Sequence, residues 1–395
     1  MQRKTYRPTP HRQHSLGSLG LVIALGALAV APAVAQSRTP KLKTYETKYY
    51  SLHTDLDAET VQEATLRITL MAEEYRARTQ GLAGTVKERL PFYLFKDRKD
   101  YEAAGGPKGT DGMFTGDKLV ALANARHPEL TWRVVQHEGF HQFVLAAIGP
   151  KLPIWANEGL AEYFGQGLFT GDQFIVGLIP PGRLERIKTG IAQRRFKSLR
   201  DMMKMPLEEW NVDFKAENYD LAWSMVHFLA MAEDGKYQRA FVDFLADVSR
   251  QTDWDQAWTK RFGKNVDTFQ QRWATYWTDL PDNPTADLYT QAIASTLTSF
   301  YARAFSQRQY FDKIEQFFAT AEAGKLKADR RDWLPPSLLH DALAVAPQLG
   351  EWWLDHKPGQ RLLLCRTNAG TVLEGSFKLE GGRVQSVTVQ PRPNR

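Results

Sequence analysis

His137-Glu138-Gly139-Phe140-His141 is the segment that most narrows what this chain can fold into. Two His four residues apart reach one point when they sit on successive turns of one helical face. The spacing therefore predicts a helix that holds a metal. Glu138, between them, projects beside that metal without ligating it, where a general base must stand to take a proton from metal-activated water. Catalytic zinc takes three protein ligands and keeps one position open, so a third ligand must come from another element. Glu158, in Trp155-Ala156-Asn157-Glu158-Gly159-Leu160-Ala161-Glu162, is the best candidate. Residues 157 to 164 read as a second amphipathic helix, with Asn157 as a candidate cap and Glu158 and Glu162 one turn apart. The bland alternative is a surface helix carrying two solvated His.

His-Glu-x-x-His followed by Asn-Glu-Gly-x-Ala resembles the gluzincin metallopeptidases, which include thermolysin-like and aminopeptidase N-like enzymes. Within them the chain is most similar to the peptidase-MA-like domains of bacterial secreted proteins. A metzincin arrangement needs a third His six residues past His141, and Ala147 stands there instead. The resemblance implies one zinc ion on His137, His141 and Glu158, with Glu138 as base and proton shuttle. The 16 residues between His141 and Glu158 make a shorter connection than in aminopeptidase N-like enzymes. Zinc alone leaves one side of a tetrahedral oxyanion bare, and gluzincins fill it with a Tyr or His donor. Tyr219, 61 residues beyond Glu158, fits that role. His227 is the other candidate, although Phe228 and Leu229 make it read as a core histidine.

Metal-bound imidazoles usually give their other N–H to a carboxylate or carbonyl, and thermolysin-like enzymes use an acid at the offset of Glu162. Gluzincins add the substrate as a strand to the sheet edge before the zinc helix, which points to Gly112, Met113 and Phe114. Aminopeptidase N-like enzymes carry Gly-x-Met-Glu-Asn on that edge, and its Glu pairs with the substrate α-amine. Residues 112 to 116 offer no carboxylate, so an endopeptidase is expected.

The first 35 residues stand apart. Arg3, Lys4, Arg7 and Arg12 precede the apolar run Leu16 to Val30, and Ala33-Val34-Ala35 is a small-residue cleavage site. This is a secretory leader cleaved after Ala35, with an apolar run short for a membrane span. A periplasmic or secreted product with no stable membrane span is expected. Those four bases come without acids, so the remainder holds 47 Lys and Arg against 45 acids. That near-balance argues against nucleic-acid binding. The one cysteine, Cys365, excludes an intrachain disulfide framework and reads as a strand-core residue.

The fold class expected is α+β. A gluzincin-like catalytic domain, with a small mixed sheet, a zinc helix and a helical lobe, precedes a helical segment and a small β-meander. The divisions fall at residues 36–165 for the α+β lobe, 166–282 for the helical lobe, 283–350 for the helical segment and 351–395 for the meander. Tyr45 to His53 reads as a strand, Asp57 to Arg78 as a helix, Leu90 to Phe95 as a buried strand and Gly112 to Leu122 as a hairpin around Thr115-Gly116-Asp117. The zinc helix starts near Thr131 and stops before Gly149-Pro150. Residues 165 to 210 look irregular. Their cluster of Arg183, Arg186, Lys188, Arg194, Arg195, Lys197 and Arg200 reads as a solvated helix face, or else as an electropositive cleft wall. The stripe Trp254, Trp258, Phe262, Phe269, Trp273 and Trp277 reads as core, and strands begin at Arg361, Thr371 and Arg383.

Two functions from different classes follow. The first is an exported zinc metallopeptidase acting on a peptide or protein substrate. The rival is a metal-holding domain that binds a peptide or envelope partner without cutting it. A preserved Glu138 favours the first, because a metal scaffold needs only its ligands.

Overall fold

The computed structural model describes residues 41–212, 215–357 and 360–392. The expected leader lies outside the described residues. Within them the chain is mixed α+β, with 14 α-helices and three small sheets.

The chain opens with β1 (Lys43–Glu46), β2 (Tyr50–Thr54), α1 (Ala58–Arg78), β3 (Leu90–Phe95), α2 (Arg98–Ala103), β4 (Gly112–Phe114) and β5 (Leu119–Leu122). The single strand expected from Tyr45 to His53 is two strands. The Thr47 hydroxyl accepts the Tyr50 N–H at 2.9 Å, and this local turn folds β1 back on β2. Helix α1 starts where the Asp57 carboxylate accepts the Thr60 N–H at 2.9 Å. The five strands run in the order β1-β2-β3-β5-β4. Strands β2, β3 and β5 are parallel, while β1 and β4 join antiparallel at the two edges. In β3, Phe92, Leu94 and Phe95 are buried and Leu90, Pro91 and Tyr93 half-buried, so the expected buried strand is covered fully on one face and partly on the other.

Next come α3 (Pro128–Ala147) and α4 (Ile154–Gly165). Helix α3 begins three residues before Thr131, because Pro128 supplies the first helical turn, where its missing N–H costs nothing. A Cβ on Gly139 would lie 2.8 Å from Met71 Cε, so the glycine inside the motif lets α1 close on α3.

The stretch expected to be irregular is instead ordered. It holds β6 (Leu168–Phe169), β7 (Phe174–Ile175), α5 (Pro181–Ala192), α6 (Leu199–Lys204) and α7 (Leu207–Val212). Helix α5 buries Leu184 and Ile187, a spacing hidden in the sequence by the interleaved basic residues. Helices α8 (Ala216–Gly235), α9 (Gln238–Ser249), α10 (Trp254–Phe262) and α11 (Val266–Asp279) complete this half. Trp258, Phe269, Trp273 and Trp277 are buried as expected, each worth about 1.5–3 kcal/mol of apolar burial or somewhat more. A Cβ on Gly159 would sit 2.5 Å from the Ala222 carbonyl, so the backbones of α4 and α8 touch there. One continuous apolar core runs from Tyr49 to Trp277.

The rest is α12 (Ala286–Ser306), α13 (Ile314–Glu322), α14 (Pro336–Leu349), β8 (Gly350–Lys357), β9 (Gln360–Thr367), β10 (Val372–Glu380) and β11 (Arg383–Pro391). The meander has four strands in the order β11-β10-β9-β8, one more than the sequence pattern suggested. Strand β8 escapes notice because it follows α14 directly and mixes Trp352, Trp353 and Leu354 with Glu351, Asp355 and His356. Its sheet packs on α12 around a second core that includes Leu363, Cys365 and Leu373. Cys365 is buried there as expected, and burial pushes its thiol up to about 12.

The two cores meet across a polar seam. Arg303 on α12 takes both oxygens of Asp172, in the β6–β7 turn, at 3.0 and 2.8 Å. It also reaches Asp332 at 2.8 Å. Ser295 bonds Thr170 at 3.2 Å beside it.

Candidate metal centre

Helix α3 is fixed on two sides before any ligand is considered. The Tyr75 hydroxyl of α1 donates to the Gln136 carbonyl. The Gln136 side chain donates to the carbonyls of Phe164 at 2.9 Å and Gly167 at 3.0 Å, which locks the end of α4 beside it. One turn on, His137 and His141 present their Nε2 atoms to each other at 3.1 Å. Glu158 enters from α4, with Oε2 at 3.5 Å from His137 Nε2 and 3.6 Å from His141 Nε2. All three side chains are buried, and their ligand atoms lie within 4.8 Å of one another.

The outer nitrogens set the chemistry of the inner ones. His137 Nδ1 donates to Glu162 Oε1 at 3.2 Å, and His141 Nδ1 donates to Asn157 Oδ1 at 3.1 Å. Each ring therefore turns a lone pair inward. Both Glu158 oxygens are buried without a hydrogen-bond partner. Acceptors held this close repel unless a cation lies between them. Two imidazole nitrogens and a carboxylate, each braced from behind or buried, form a group that could hold a metal ion. The surrounding carboxylates favour positive charge here, as a proton or as a metal ion that displaces it. Burial opposes charge on His137, but Glu158 and Glu162 outweigh it and raise the imidazole to about 10. Burial likewise opposes charge on Glu158, and the two imidazoles outweigh it and lower the carboxyl to about 2.

Asn157 corrects the expectation of a helix cap. Helix α4 starts three residues earlier, after Pro153, which leaves Asn157 inside the helix and free to orient His141. Glu162 stands where expected, behind His137. Its second oxygen binds Arg183 Nη1 at 2.6 Å.

Arg183 also corrects a reading. It is only 4% exposed, so it belongs to neither a solvated face nor a cleft wall. Besides Glu162 it reaches Asp220 Oδ1 at 3.0 Å and the Tyr219 carbonyl at 3.2 Å, and it lies over the Trp223 ring at 4.4 Å. Arg186 closes the network on Asp220 at 2.7 and 2.8 Å from a largely exposed position. The weak signal for Arg183 was its i, i+1 and i+4 company on α5: Leu184 and Ile187 go inward, so Arg183 beside them does too.

Glu138 is buried, and its Oε2 accepts the Phe114 N–H at 2.8 Å. In the β4–β5 pair, Thr115 N bonds Lys118 O at 3.0 Å and Leu122 N bonds Asp111 O at 2.8 Å. Alternation then turns the backbone groups of Gly112 and Phe114 to the free edge and those of Met113 toward β5. The Glu138 carboxylate thus lies on the free edge of the sheet. A Cβ on Gly112 would fall 2.2 Å from Val134 Cγ1, so α3 comes this close to β4 only with glycine there.

Tyr219 lies in the second turn of α8, with its ring edge-to-face with Trp210 and its hydroxyl 3.4 Å from Trp210 Nε1. Burial, then the charges of Glu158, Glu162 and Glu138, push the phenol up and keep it protonated. His227 is placed elsewhere. It is buried between Trp223 and Trp277, with Nε2 donating to the Gly177 carbonyl at 2.9 Å. Burial lowers it to about 4, the behaviour of a neutral core histidine.

No helix among the described residues is long and apolar enough to cross a membrane. The profile of a family described as "Protein of unknown function (DUF1570)" matches residues 132–255, from within α3 to the start of α10. It therefore takes in the whole ligand group, Glu162, Arg183 and Tyr219. No curated protein matches the chain.

Proposed function

We propose that this chain is an exported zinc metallopeptidase with a gluzincin-like catalytic core, cutting within peptide or protein chains. The observation that carries the reading is the position of Glu138. It is a buried carboxylate on the ligand-bearing helix, outside the ligand group, and bonded to the free edge of β4. A domain that merely holds a metal has no use for a buried acid there, where it costs desolvation. Two imidazoles and one carboxylate suit zinc with an open position.

Zinc bound there would supply a Lewis acid that polarises a carbonyl and makes water acidic near neutral pH. The chain's own residues do the rest. The free edge at Gly112 and the Phe114 carbonyl hydrogen-bonds an extended peptide, with the Phe114 N–H held by Glu138 and Met113 anchoring the strand in the sheet. Glu138 accepts the proton of the attacking water and returns it to the leaving amine. The Tyr219 hydroxyl, kept protonated, donates to the oxyanion. Glu162 and Asn157 hold the two imidazoles in the tautomer that turns Nε2 inward. The leader places the mature chain in the periplasm or outside the cell.

The test joins metal analysis to cleavage. Mature protein should carry about one zinc per chain and cut members of a peptide library, read by mass spectrometry. Glu138→Gln keeps the shape and cannot accept the proton. It should retain zinc while hydrolysis falls by about 10² to 10⁴. Peptide binding without cleavage in the unaltered protein would establish the rival, a non-catalytic metal-holding domain.

A further inference from the structure

Arg183 lies outside the ligand group, yet its guanidinium is shared between two helices. Nη1 binds Glu162 Oε2 on α4 at 2.6 Å and Nη2 binds the Tyr219 carbonyl on α8 at 3.2 Å, while Nε lies 3.0 Å from Asp220 Oδ1 as an ion pair without a hydrogen bond. Glu162 in turn holds His137 Nδ1 at 3.2 Å. We propose that Arg183 is a positioning residue that couples occupation of the metal centre to the placement of the first turns of α8, and so of Tyr219. The inference rests on the metal-binding part of the function proposed above and not on hydrolysis.

The physical case is the rigidity of the fork. A cation on His137 Nε2 polarises the ring, strengthens its Nδ1–H as a donor and draws the Glu162 carboxylate in. That carboxylate cannot move without its partner at 2.6 Å. The guanidinium is planar, so a shift at Nη1 is felt at Nε and Nη2. Trp223 beneath the plane, 4.4 Å away, prevents it from tilting instead. A competing reading is that Arg183 only neutralises half-buried Glu162 and buried Asp220. Lysine would serve that purpose, but one ammonium cannot reproduce two directed hydrogen bonds to different helices from one rigid plane.

Full-length mature protein with Arg183→Lys separates the two. Zinc affinity is measured by chelator competition. Amide exchange over residues 216–222 is followed with and without zinc. In the unaltered protein zinc should slow that exchange. In Arg183→Lys the zinc-dependent slowing should vanish and affinity fall by roughly 10–100-fold, the range for residues that orient ligands. Arg200→Lys, the same exchange at a surface cation on α6, should change neither. Retention of both affinity and slowing in Arg183→Lys overturns the proposal. If that variant does not fold, Glu162→Gln cuts the same link from the other end, and slowing that survives it overturns the proposal equally. Absence of zinc binding in the unaltered protein is a distinct failure, which removes the metal centre and the coupling with it.

Discussion

Between Tyr49 and Trp277 the buried side chains include His137, Glu138, His141, Glu158, Arg183, Asp220, His227 and Asp247. Between Ala294 and Val389, among the described residues, the buried charge is Arg303, and it faces the seam rather than the core. Both halves use the same Leu, Phe, Trp and Ala to fill their interiors. Burying ionisable groups costs several kcal/mol each unless they are paired, so a fold keeps a cluster of them only where something repays the cost. In the first half all of these but His227, bonded to the Gly177 carbonyl, and Asp247, paired with Arg261, converge on one point, through Glu162 and Arg183 on one side and Asn157 on the other. In the second half no such convergence exists among the described residues, and the module behaves as packing. Chemistry and stability should therefore be separable by substitution.

The largest effect should come from the ligand group. Glu158→Ala removes the one carboxylate that faces both inner nitrogens, and zinc affinity should fall by more than the roughly 10–100-fold seen for outer residues. Elemental analysis reads this directly, and a melt in excess chelator should show little loss of fold. Full zinc in Glu158→Ala would hand the third position to Glu162. Tyr219→Phe should do less. It should lower kcat by roughly 10² to 10³ with KM nearly unchanged, since the oxyanion exists only after attack. An unchanged kcat in a folded variant would make Tyr219 a packing partner of Trp210.

What could be read in advance divides along the same line. Two of the three ligand residues lie on short-range helical spacing, which sequence carries openly: His137 and His141 share a face because they are four apart, whereas Glu158 was picked from a second motif on another helix. The hairpin at 112–122 is legible from its turn, and Cys365 from its apolar neighbours. Arg183 and Asn157 were missed for a different reason. Their roles depend on long-range partners, at sequence separations of 21 and 16, which no local pattern encodes. Asn157 even satisfied a local rule, that of a cap, which the earlier helix start at Pro153 overrode. Likewise β8 and α5 were obscured where charge interrupts periodicity and tertiary packing decides.

Leu363→Ala tests the other half. Leu363 is 1% exposed on the face of β9 that packs toward α12. Its loss leaves a cavity and should cost about 2–5 kcal/mol, measured by denaturant unfolding. Zinc per folded chain should not change. A parallel loss of zinc from the folded protein would mean that the seam through Arg303 and Asp172 transmits strain, and that the two cores do not act separately.

The smallest effect concerns the substrate's amino end, and it should be close to none. Stepwise removal of N-terminal residues needs an anion to pair with the α-ammonium, because desolvating that cation unpaired costs several kcal/mol. The free edge of β4 provides Gly112 and Phe114 backbone, and the carboxylate found on it, Glu138, is the one assigned to proton transfer. The nearby acids are committed elsewhere. Asp111 is paired with Arg98, Asp117 accepts the Thr115 hydroxyl at 2.6 Å within the turn, and Glu129 faces His127 at 3.1 Å on the surface. An acetylated peptide should therefore be cut at least as fast as its free-amine twin, with internal products in both digests. Single residues released in order, and lost on acetylation, would contradict the endopeptidase reading. They would leave half-buried Glu102 on α2 as the acid to replace next, and would show that the first half keeps one more functional charge than its buried network reveals.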